Sequence, residues 1–411
     1  MGWPVRDLQS LCEVFTDGDW IESKNQSMEG IRLIQTGNVG NGVFKDRRDK
    51  ARFISETTFS ELKCCEIYKG DCLVSRLPDP VGRSCILPET EDRMITAVDC
   101  TILRFKKDEL TPEFFNYYSQ SDMYLNKVES LTSGATRKRI SRKHLGLVEV
   151  PLPPIPEQKH IVAILDQAFA DIDRARELTE RNLHNARELF ESYLQQVFSQ
   201  RGEGWEDKKL GEAVVVERGS SPRPIKEYQT NDIEGVNWIK IGDAKQGQKY
   251  ISSTKEKITL KGAEKSRFVD IGDLVLSNSM SFGRPYIMAT QGYIHDGWFV
   301  LRLPEDIDSE YFYYLLSSSY VKNQFQSLAA GAIVKNISGD LVKKTILCLP
   351  ALNEQKQIAA KLAQLASKIE MLEGVYIRKA ENIDELKKSL LQKAFSGQLT
   401  PPNSEGVAAQ R

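Results

Sequence analysis

The sequence lacks the features of a membrane-spanning, secreted or disulfide-bonded protein. No apolar run approaches the roughly 20 residues needed to cross a bilayer. The first residues show no basic stretch followed by an apolar one, as a secretory signal would. The seven cysteines are an odd number and form no C-x-x-C motif, which favours reduced thiols over disulfides or a zinc site. We therefore expect a cytoplasmic protein.

Catalytic signatures and an excess of positive charge are missing as well. The net charge is −1, so any binding of nucleic acid must be local. The stretch Gly242–Lys249 lacks the G-K-[ST] ending of a P-loop. The E-x-K sequences at Glu157 and Glu354 have no Pro-Asp partner, and the four histidines are scattered. We therefore predict no catalytic, cofactor-binding or metal-binding residue.

The sequence does contain an internal duplication of one unit. Glu157 aligns with Glu354, an offset of 197 positions that continues without a gap for about 40 residues. The same offset pairs SGATRKRIS, residues 133–141, with AGAIVKNIS, residues 330–338. Further upstream the offset drifts, as insertions would cause. The chain therefore consists of two units of about 200 residues, each a module followed by a helix.

The repeat divides the chain into a first module, 1–152, a first spacer helix, 153–200, a second module, 201–350, a second spacer helix, 351–397, and a flexible tail, 398–411. Short β-rich runs broken by Gly, Asn and Asp fill each module, with one short helix at Pro112–Val128 and another at Ser309–Phe325. The predicted class is α+β. Aromatic residues in these helices have helical spacing, which favours core positions over base stacking.

Both spacer helices repeat apolar residues in alternating steps of four and three, the pattern of a coiled coil. Pro156 suits a first helical position, Asn353 an N-cap and Gly397 a C-terminal stop. Each helix would be roughly 60 Å long, and we expect the two to pair as an antiparallel coiled coil. The predicted seam comprises Ile161, Leu165, Ile172, Asn182, Leu189, Ile358, Leu362, Leu365, Ile369, Leu372, Lys379, Ile383, Leu386 and Leu390.

Two of these seam positions, Asn182 and Lys379, are polar and equivalent in the repeat. Two interpretations stay open. A polar residue inside a seam can fix its register, or the two side chains can simply face solvent.

The first module ends in a basic loop, Thr136–Lys143. It carries five cations with no acid among them. Because like charges repel, such a cluster favours contact with phosphate, although a solvated surface loop is the alternative. The second module has Lys335 and Asn336 in the matching place.

This duplicated chain resembles the specificity subunit, HsdS, of type I restriction–modification systems. The resemblance rests on GATRKRIS…VPLPPIPEQKHIVAIL and GAIVKNIS…CLPALNEQKQIAAKL and extends through about Thr400. It implies that each module is a target-recognition domain that reads one half of a split double-stranded DNA site, and that the helices set the gap. Two modification subunits that methylate adenine N6, and restriction subunits with ATP-dependent translocase and nuclease activity, would act as partners. S-adenosylmethionine, ATP and Mg²⁺ would belong to those partners.

Bases are read in the major groove by groups such as Arg on guanine and Asn or Gln on adenine. We expect such groups, with phosphate-binding ones, to project from loops or from the ends of elements. The candidates are Gln35, Thr36, Asn38, Arg76, Arg83, Thr136, Arg137, Lys138, Arg139, Arg142 and Lys143 in the first module, and Lys240, Asp243, Lys245, Asn278, Ser279, Arg284, Lys335 and Asn336 in the second.

Corresponding candidates often differ, as Gln35 and Lys240 do, so the two half-sites are predicted to differ in sequence. Two other functions stay open at this point. One is a DNA methyltransferase or nuclease with an unrecognised active site, and the other is a coiled-coil adaptor that binds only protein.

Overall fold

A computed structural model of the chain describes residues 2–134, 137–245, 247–278, 283–329 and 338–399. It divides into two compact units, Met1–Thr179 with Arg378–Arg411, and Glu180–Ile377. Each unit therefore contains one module and a part of each spacer helix. Over the ranges that the structure describes, no helix is both long enough and apolar enough to cross a membrane.

The first module combines short strands with short helices. Its strands are β1 (Val5–Asp7), β2 (Cys12–Asp17), β3 (Ile31–Ile34), β4 (Arg52–Ile54), β5 (Glu66–Ile67), β6 (Cys72–Ser75), β7 (Ser84–Ile86), β8 (Met94–Thr96), β9 (Cys100–Phe105) and β10 (Glu149–Pro151). Its helices are α1 (Glu56–Leu62), α2 (Pro112–Tyr118), α3 (Asp122–Ser130) and α4 (Arg142–Gly146), and the first spacer helix is α5 (Ile155–Ser199).

These strands form two four-stranded sheets, in the orders β2-β9-β6-β7 and β4-β3-β8-β5. The central strands β6 and β9 have buried side chains along almost their whole length. This burial explains why their sequences, CLVS and CTILRF, are nearly continuous apolar runs. Strands β3 and β8 run parallel, whereas the neighbours within the β2-β9-β6-β7 sheet run antiparallel.

The second module repeats this plan. Its strands are β11 (Glu206–Lys209), β12 (Val215–Arg218), β13 (Gln229–Thr230), β14 (Val236–Ile239), β15 (Tyr250–Ile251), β16 (Glu256–Ile258), β17 (Arg267–Val269), β18 (Leu274–Ser277), β19 (Pro285–Met288), β20 (Gly292–Ile294), β21 (Trp298–Arg302) and β22 (Ile346–Leu349). Its helices are α6 (Leu210–Ala213), α7 (Leu260–Ala263), α8 (Ser309–Ser317), α9 (Ser319–Ala329) and α10 (Gly339–Lys344), and the second spacer helix is α11 (Leu352–Phe395). The sheet orders are β12-β21-β18-β19-β15 and β13-β16-β14-β20-β17.

A two-stranded antiparallel ribbon closes each module next to its spacer helix. In the first, β1 pairs with β10 so that Val5 lies opposite Pro151, shortly before α5 begins. In the second, β11 pairs with β22 so that Glu206 lies opposite Leu349. The two ends of each module therefore meet where its long helix starts, and the predicted α+β fold of two modules, each followed by a long helix, is confirmed.

The prediction of a single helix near the end of each module is wrong. In the first module the helix breaks after α2, and the hydroxyl of Ser121 accepts a hydrogen bond from the Tyr124 amide at 3.3 Å. In the second it breaks after α8, where Ser318 accepts from the Val321 amide at 3.4 Å. Serine favours such N-cap positions because its hydroxyl satisfies a free amide, so each serine starts a new helix.

The aromatic residues of α2 lie in the core, as predicted. Phe114, Phe115 and Tyr118 are fully buried, and the hydroxyl of Tyr117 donates a hydrogen bond to Asp166 of α5 at 2.6 Å. Helix α2 is thereby packed against the first spacer helix.

In the first unit, α5 and α11 run antiparallel. Asp173 lies 3.8 Å from Lys387, and Arg176 pairs with Asp384. Three residues towards the C-terminus of α5 therefore correspond to three residues towards the N-terminus of α11. The ring of Phe395 in α11 lies 5.2 Å from that of Phe114. Helix α11 completes the core of the first module with Ile383, Leu391, Ala394 and Phe395.

In the second unit the roles of the two helices are exchanged. The guanidinium Nε of Arg187 donates to the carboxylate of Glu373 at 2.7 Å. The ring of Phe198 in α5 lies 5.6 Å from that of Tyr311 in α8. Helix α5 thus completes the core of the second module, where Leu194 and Phe198 share one cluster with Ala359 and Leu362 of α11.

The predicted seam is wrong at three positions. Leu189, Leu372 and Leu386 are 58%, 43% and 50% exposed, whereas Phe190 and Lys387 are only partly exposed. A strict seven-residue count drifts by about 20° per heptad around a straight helix, so the buried stripe moves to the next residue. The equivalent polar residues Asn182 and Lys379 are exposed, which agrees with the interpretation that they face solvent.

The other predicted seam residues are buried or half-buried: Ile161, Leu165, Ile172, Ile358, Leu362, Leu365, Ile369, Ile383 and Leu390. Helix α5 begins one residue before Pro156. Helix α11 begins at Leu352, two residues earlier than an N-cap at Asn353 indicated, so Asn353 lies within the first turn. The predicted stop at Gly397 is confirmed. Its φ is +75°, and the amide of Gln398 donates to the carbonyl of Lys393 at 3.0 Å, a Schellman closure of the helix.

Candidate nucleic-acid interface

Backbone hydrogen bonds join the basic loop of the first module to the residues just before it. Ser133 and Arg139 exchange two backbone hydrogen bonds of 2.9 Å, and Gly134 adopts a φ of +105° that an L-residue would rarely adopt. Arg137, Lys138 and Arg139 are exposed. The loop therefore presents its cations to solvent, and its predicted residue Thr136 lies outside the described residues.

The fold brings acids to this loop that the sequence places elsewhere. Lys138 pairs with Glu129, which lowers the pKa of the Glu129 carboxyl and raises the pKa of Lys138. Arg139 lies 3.1 Å from Asp99. Two of the five cations are therefore compensated within the chain.

Three cations remain available to an external anion. Among the described residues, Arg137 and Lys143 have no ion-pair partner, and both are exposed. Arg142 makes one long hydrogen bond, 3.5 Å, to the hydroxyl of Thr16. The hydroxyl of Ser141 accepts from the amide of His144 at 3.1 Å and so begins α4, which fixes the backbone that carries Arg142 and Lys143.

Arg83, a predicted base-reading residue, is instead a buried cross-link. Its guanidinium donates to the carbonyls of Val39 at 2.7 Å, Leu77 at 2.7 Å and Thr36 at 2.8 Å. Burial lowers the pKa of the Arg83 guanidinium. The prediction that Arg83 projects from a loop is therefore wrong, because its donors link the turn at Thr36 and Val39 to the chain at Leu77.

The same correction applies to three other candidates. Arg76 is 4% exposed, donates to the Val98 carbonyl and forms an ion pair with Asp17 at 3.3 Å. Asn38 bridges the 3₁₀ turn that follows β3 through hydrogen bonds of 2.9 Å on both ends of its amide. Asn278 is 5% exposed and donates to a backbone carbonyl at 2.8 Å. Polar groups buried in this way complete loops and do not project from them.

The remaining candidates lie nearer the surface. Gln35 and Thr36 are half-buried at the end of β3, and Arg284 is half-buried before β19. Lys245 is exposed. Asp243 uses both carboxylate oxygens to accept backbone amides, those of Lys240 at 2.8 Å and Lys255 at 3.2 Å, so it acts as a turn cap. The predicted residues Ser279, Lys335 and Asn336 lie outside the described residues.

An open cavity of about 740 Å³ lies in the second module, and the sequence did not indicate it. The buried Trp238 and the half-buried His295 are among its lining residues, and Lys240 pairs there with Glu256 at 2.7 Å. Burial lowers the pKa of His295, and its Nε2 lies 3.0 Å from the amide of Ile241. Arg223 and Gln229 also line the cavity.

Arg223 and Gln229 are exposed and carry groups suited to the edges of guanine and adenine, although neither is among the residues predicted from the sequence. The signal that could have found Arg223 is its position between two prolines, Pro222 and Pro224. Prolines on both sides restrict the backbone and hold an exposed arginine in place.

The thiols fit structural roles. Cys72, Cys85 and Cys100 are fully buried, and burial raises the pKa of Cys85 and of Cys100 to about 12. These two thiols are therefore protonated at neutral pH and poor nucleophiles. Within the described residues, no group of three or more His, Cys, Asp or Glu side chains is arranged to hold a metal ion.

Comparison with known proteins identifies the family. The model of the type I restriction modification DNA specificity domain matches residues 1–181 and again 202–378. A putative type I restriction enzyme MjaX specificity subunit of Methanocaldococcus jannaschii is 23% identical over 97% of this chain and 93% of its own length. The type I restriction enzyme EcoKI specificity subunit of Escherichia coli K12 is 25% identical over 97% of this chain and 89% of its own length.

Solved structures share the fold. A chain from a structure that addresses complex assembly and conformational transition of a type I R-M system superposes with a TM-score of 0.81, at 19% identity, over 97% of this chain and 98% of its own. The HsdS subunit from Thermoanaerobacter tengcongensis gives a TM-score of 0.64, at 20% identity, over 97% of both chains. With two matched domains that together cover most of its length, the chain belongs to the family of type I restriction–modification DNA specificity subunits, HsdS.

Proposed function

We propose that this chain is the non-catalytic DNA-recognition subunit of a cytoplasmic type I restriction–modification complex. Each module reads one half of a bipartite, asymmetric double-stranded DNA site. The chain docks two methyltransferase subunits and the restriction subunits, which hold any S-adenosylmethionine, ATP and Mg²⁺. The observation that carries the proposal is the presence of two specificity domains of one family, each followed by a long helix, in a single chain.

The difference between the modules supports two unlike half-sites. The residue that follows β3 in the first module is Gln35, and the equivalent residue, which follows β14 in the second module, is Lys240. The second module also has a cavity built on Trp238, where the aligned residue of the first is Leu33. Different side chains at equivalent places would meet different base edges.

Contacts to phosphate and contacts to bases are assigned to different residues. Arg137 and Lys143 are exposed cations without an ion-pair partner among the described residues, which suits sequence-independent binding of phosphate. The base-reading candidates that remain accessible are Gln35, Thr36, Lys240, Lys245, Arg284, Arg223 and Gln229. The buried Arg76, Arg83, Asn38 and Asn278 support the loops that present them.

Reconstitution with a modification subunit tests the proposal. The chain alone should transfer no methyl group to DNA and cut none, whereas the complex should methylate adenine and protect two separate stretches from nuclease in a salt-dependent way. Methylation or cleavage by the chain alone would favour the unrecognised enzyme. A complex that forms without any DNA footprint would favour the protein-binding adaptor.

A further inference from the structure

Two ion pairs between the spacer helices share a common arrangement. In the first unit Arg176 of α5 pairs with Asp384 of α11. In the second unit Arg187 of α5 pairs with Glu373 of α11 at 2.7 Å. In both, α5 supplies the arginine and α11 supplies the acid.

The repeat makes these two pairs equivalent to each other. The offset of 197 positions that relates the two units places Arg176 at the position of Glu373, and Arg187 at the position of Asp384. The two pairs are therefore the same contact with the charges exchanged. If α5 paired antiparallel with α5 of a second chain, Arg176 would face Arg187. If α11 paired with α11, Glu373 would face Asp384.

The apolar contacts do not make this distinction. Helix α11 completes the first core with four side chains, whose equivalents in α5 are similar in kind. Phe395 corresponds to Phe198 and Leu391 to Leu194, and both α5 residues complete the second core. The helix α5 of a second chain could therefore also supply apolar side chains to the first module, with Ala186 in the place of Ile383 and Val197 in the place of Ala394.

From this pattern we infer that Arg176, Arg187, Glu373 and Asp384 select the partner of each helix, favouring α5 with α11 of the same chain over self-pairing between two chains. A third contact, Asp173 with Lys387 at 3.8 Å, does not oppose self-pairing of α11, because the equivalent of Asp173 there is Glu370. The charges therefore disfavour self-pairing of α5 between two chains more strongly than they disfavour self-pairing of α11.

The consequence, which rests on the proposed function, concerns the DNA site. A self-paired dimer would bring two copies of the same module together and would read two identical half-sites. Like charges at equivalent positions disfavour that dimer, as charged positions beside a seam do in other coiled coils. The charge pattern therefore keeps unlike modules together and the site asymmetric.

The test compares two double variants of the full chain with equal composition changes. R187E/D384R makes both pairs within the chain repulsive and both self-pairs attractive. The matched control R187E/E373R keeps both pairs within the chain attractive. Each variant exchanges one arginine for glutamate and one acid for arginine, so the net charge is unchanged.

Sedimentation velocity over a range of concentrations gives the result, with no DNA involved. An exposed ion pair changes an equilibrium constant by about twofold. Two chains together contain four of these pairs, which are repulsive in R187E/D384R and attractive in R187E/E373R. The dimerisation constant of R187E/D384R should therefore exceed that of R187E/E373R by about 10- to 100-fold. The milder R187Q/D384N, which creates no like-charge contact within the chain, should dimerise more than the wild type and serves if the first variant fails to fold. Equal sedimentation of R187E/D384R and R187E/E373R, or of R187Q/D384N and the wild type in that case, overturns the inference whether or not the chain reads DNA.

Discussion

Gln158 and Gln355 make the same three hydrogen bonds at the starts of the two spacer helices. The side-chain oxygen of Gln158 accepts from the amide of Thr111 at 2.9 Å, and its nitrogen donates to the carbonyls of Glu109 at 2.8 Å and Pro153 at 2.9 Å. Gln355 repeats this with the amide of Asp308 at 2.9 Å and with two carbonyls at 3.1 and 2.9 Å. Every partner is shifted by the same 197 positions.

These glutamines explain why the sequence PEQK or NEQK begins both spacer helices. Each one is fully or almost fully buried and links the loop before the short helices of its module to the first turn of its spacer helix. The side-chain oxygen and nitrogen of both glutamines therefore have hydrogen-bond partners, as buried polar groups require. The glutamine of this motif therefore forms a structural junction between module and helix.

We predict that Gln158→Leu weakens this junction in the first unit. The change leaves the amide of Thr111 and two carbonyls without partners, which costs about 2–4 kcal/mol of unfolding free energy. Hydrogen exchange at the Thr111 amide should accelerate, while the Asp308 amide of the second unit should be unaffected. The matched control is Lys159→Ala, at the exposed neighbouring residue, for which we expect a change within about 0.5 kcal/mol. Unchanged protection of Thr111 in Gln158→Leu would disprove the role of the junction.

The basic loop gives a second prediction, about affinity. Arg137→Ala should weaken binding to every DNA sequence and reduce the slope of log K against log salt by about one. Lys138→Ala should have a smaller effect, because Glu129 already pairs with that ammonium. Titrations of the reconstituted complex at several salt concentrations provide both values. A change of preferred sequence at constant affinity would show that the loop reads bases.

Arg83 gives a third prediction, in which stability and specificity separate. A lysine at this position cannot reach three carbonyls at once, so Arg83→Lys should cost about 2–4 kcal/mol of unfolding free energy in the first unit. The methylated sequence should stay the same. The control Arg47→Lys, at an exposed arginine, should leave stability unchanged. Urea unfolding and methylation mapping measure the two effects, and an altered recognition sequence in a stable Arg83→Lys protein would return Arg83 to the base-reading set.

The spacer helices give a fourth prediction, about the gap between half-sites. One extra heptad in each helix adds about 10 Å to its length, which corresponds to about three base pairs. The recognised gap should grow by that amount while both half-sites stay unchanged. A heptad in one helix alone should impair folding, because facing residues would lose their register. If the gap stays constant in the doubly extended protein, the helices do not set it.

Much of the fold was predictable because the sequence contains an internal duplication. Alternating apolar steps of four and three indicated the long helices, and the repeat at constant offset indicated two modules. The exact phase of the stripe was not predictable, since Leu189 and Phe190 are both apolar and only packing decides which is buried. The break at Ser121 was also missed, because a serine within a helical pattern becomes a cap only where the tertiary structure bends the chain.

The candidate interface was harder to predict, because a sequence shows residue types and not their partners. Arg83 and Arg137 are the same amino acid, each in a loop, yet the first is buried against backbone carbonyls and the second is exposed. Similarly, Asp99 reaches the basic loop from a position 40 residues before Arg139, and Glu129 reaches it from helix α3. The cavity around Trp238 depends on segments that are far apart in the sequence.

Methylome sequencing of cells that carry this chain with its modification subunit shows most directly whether the two modules read two different half-sites. We expect one recognition sequence made of two different half-sites with a constant gap, and with a methylated adenine in each half. A palindromic site, or a single continuous one, would contradict the claim that two unlike modules of one chain read the two halves.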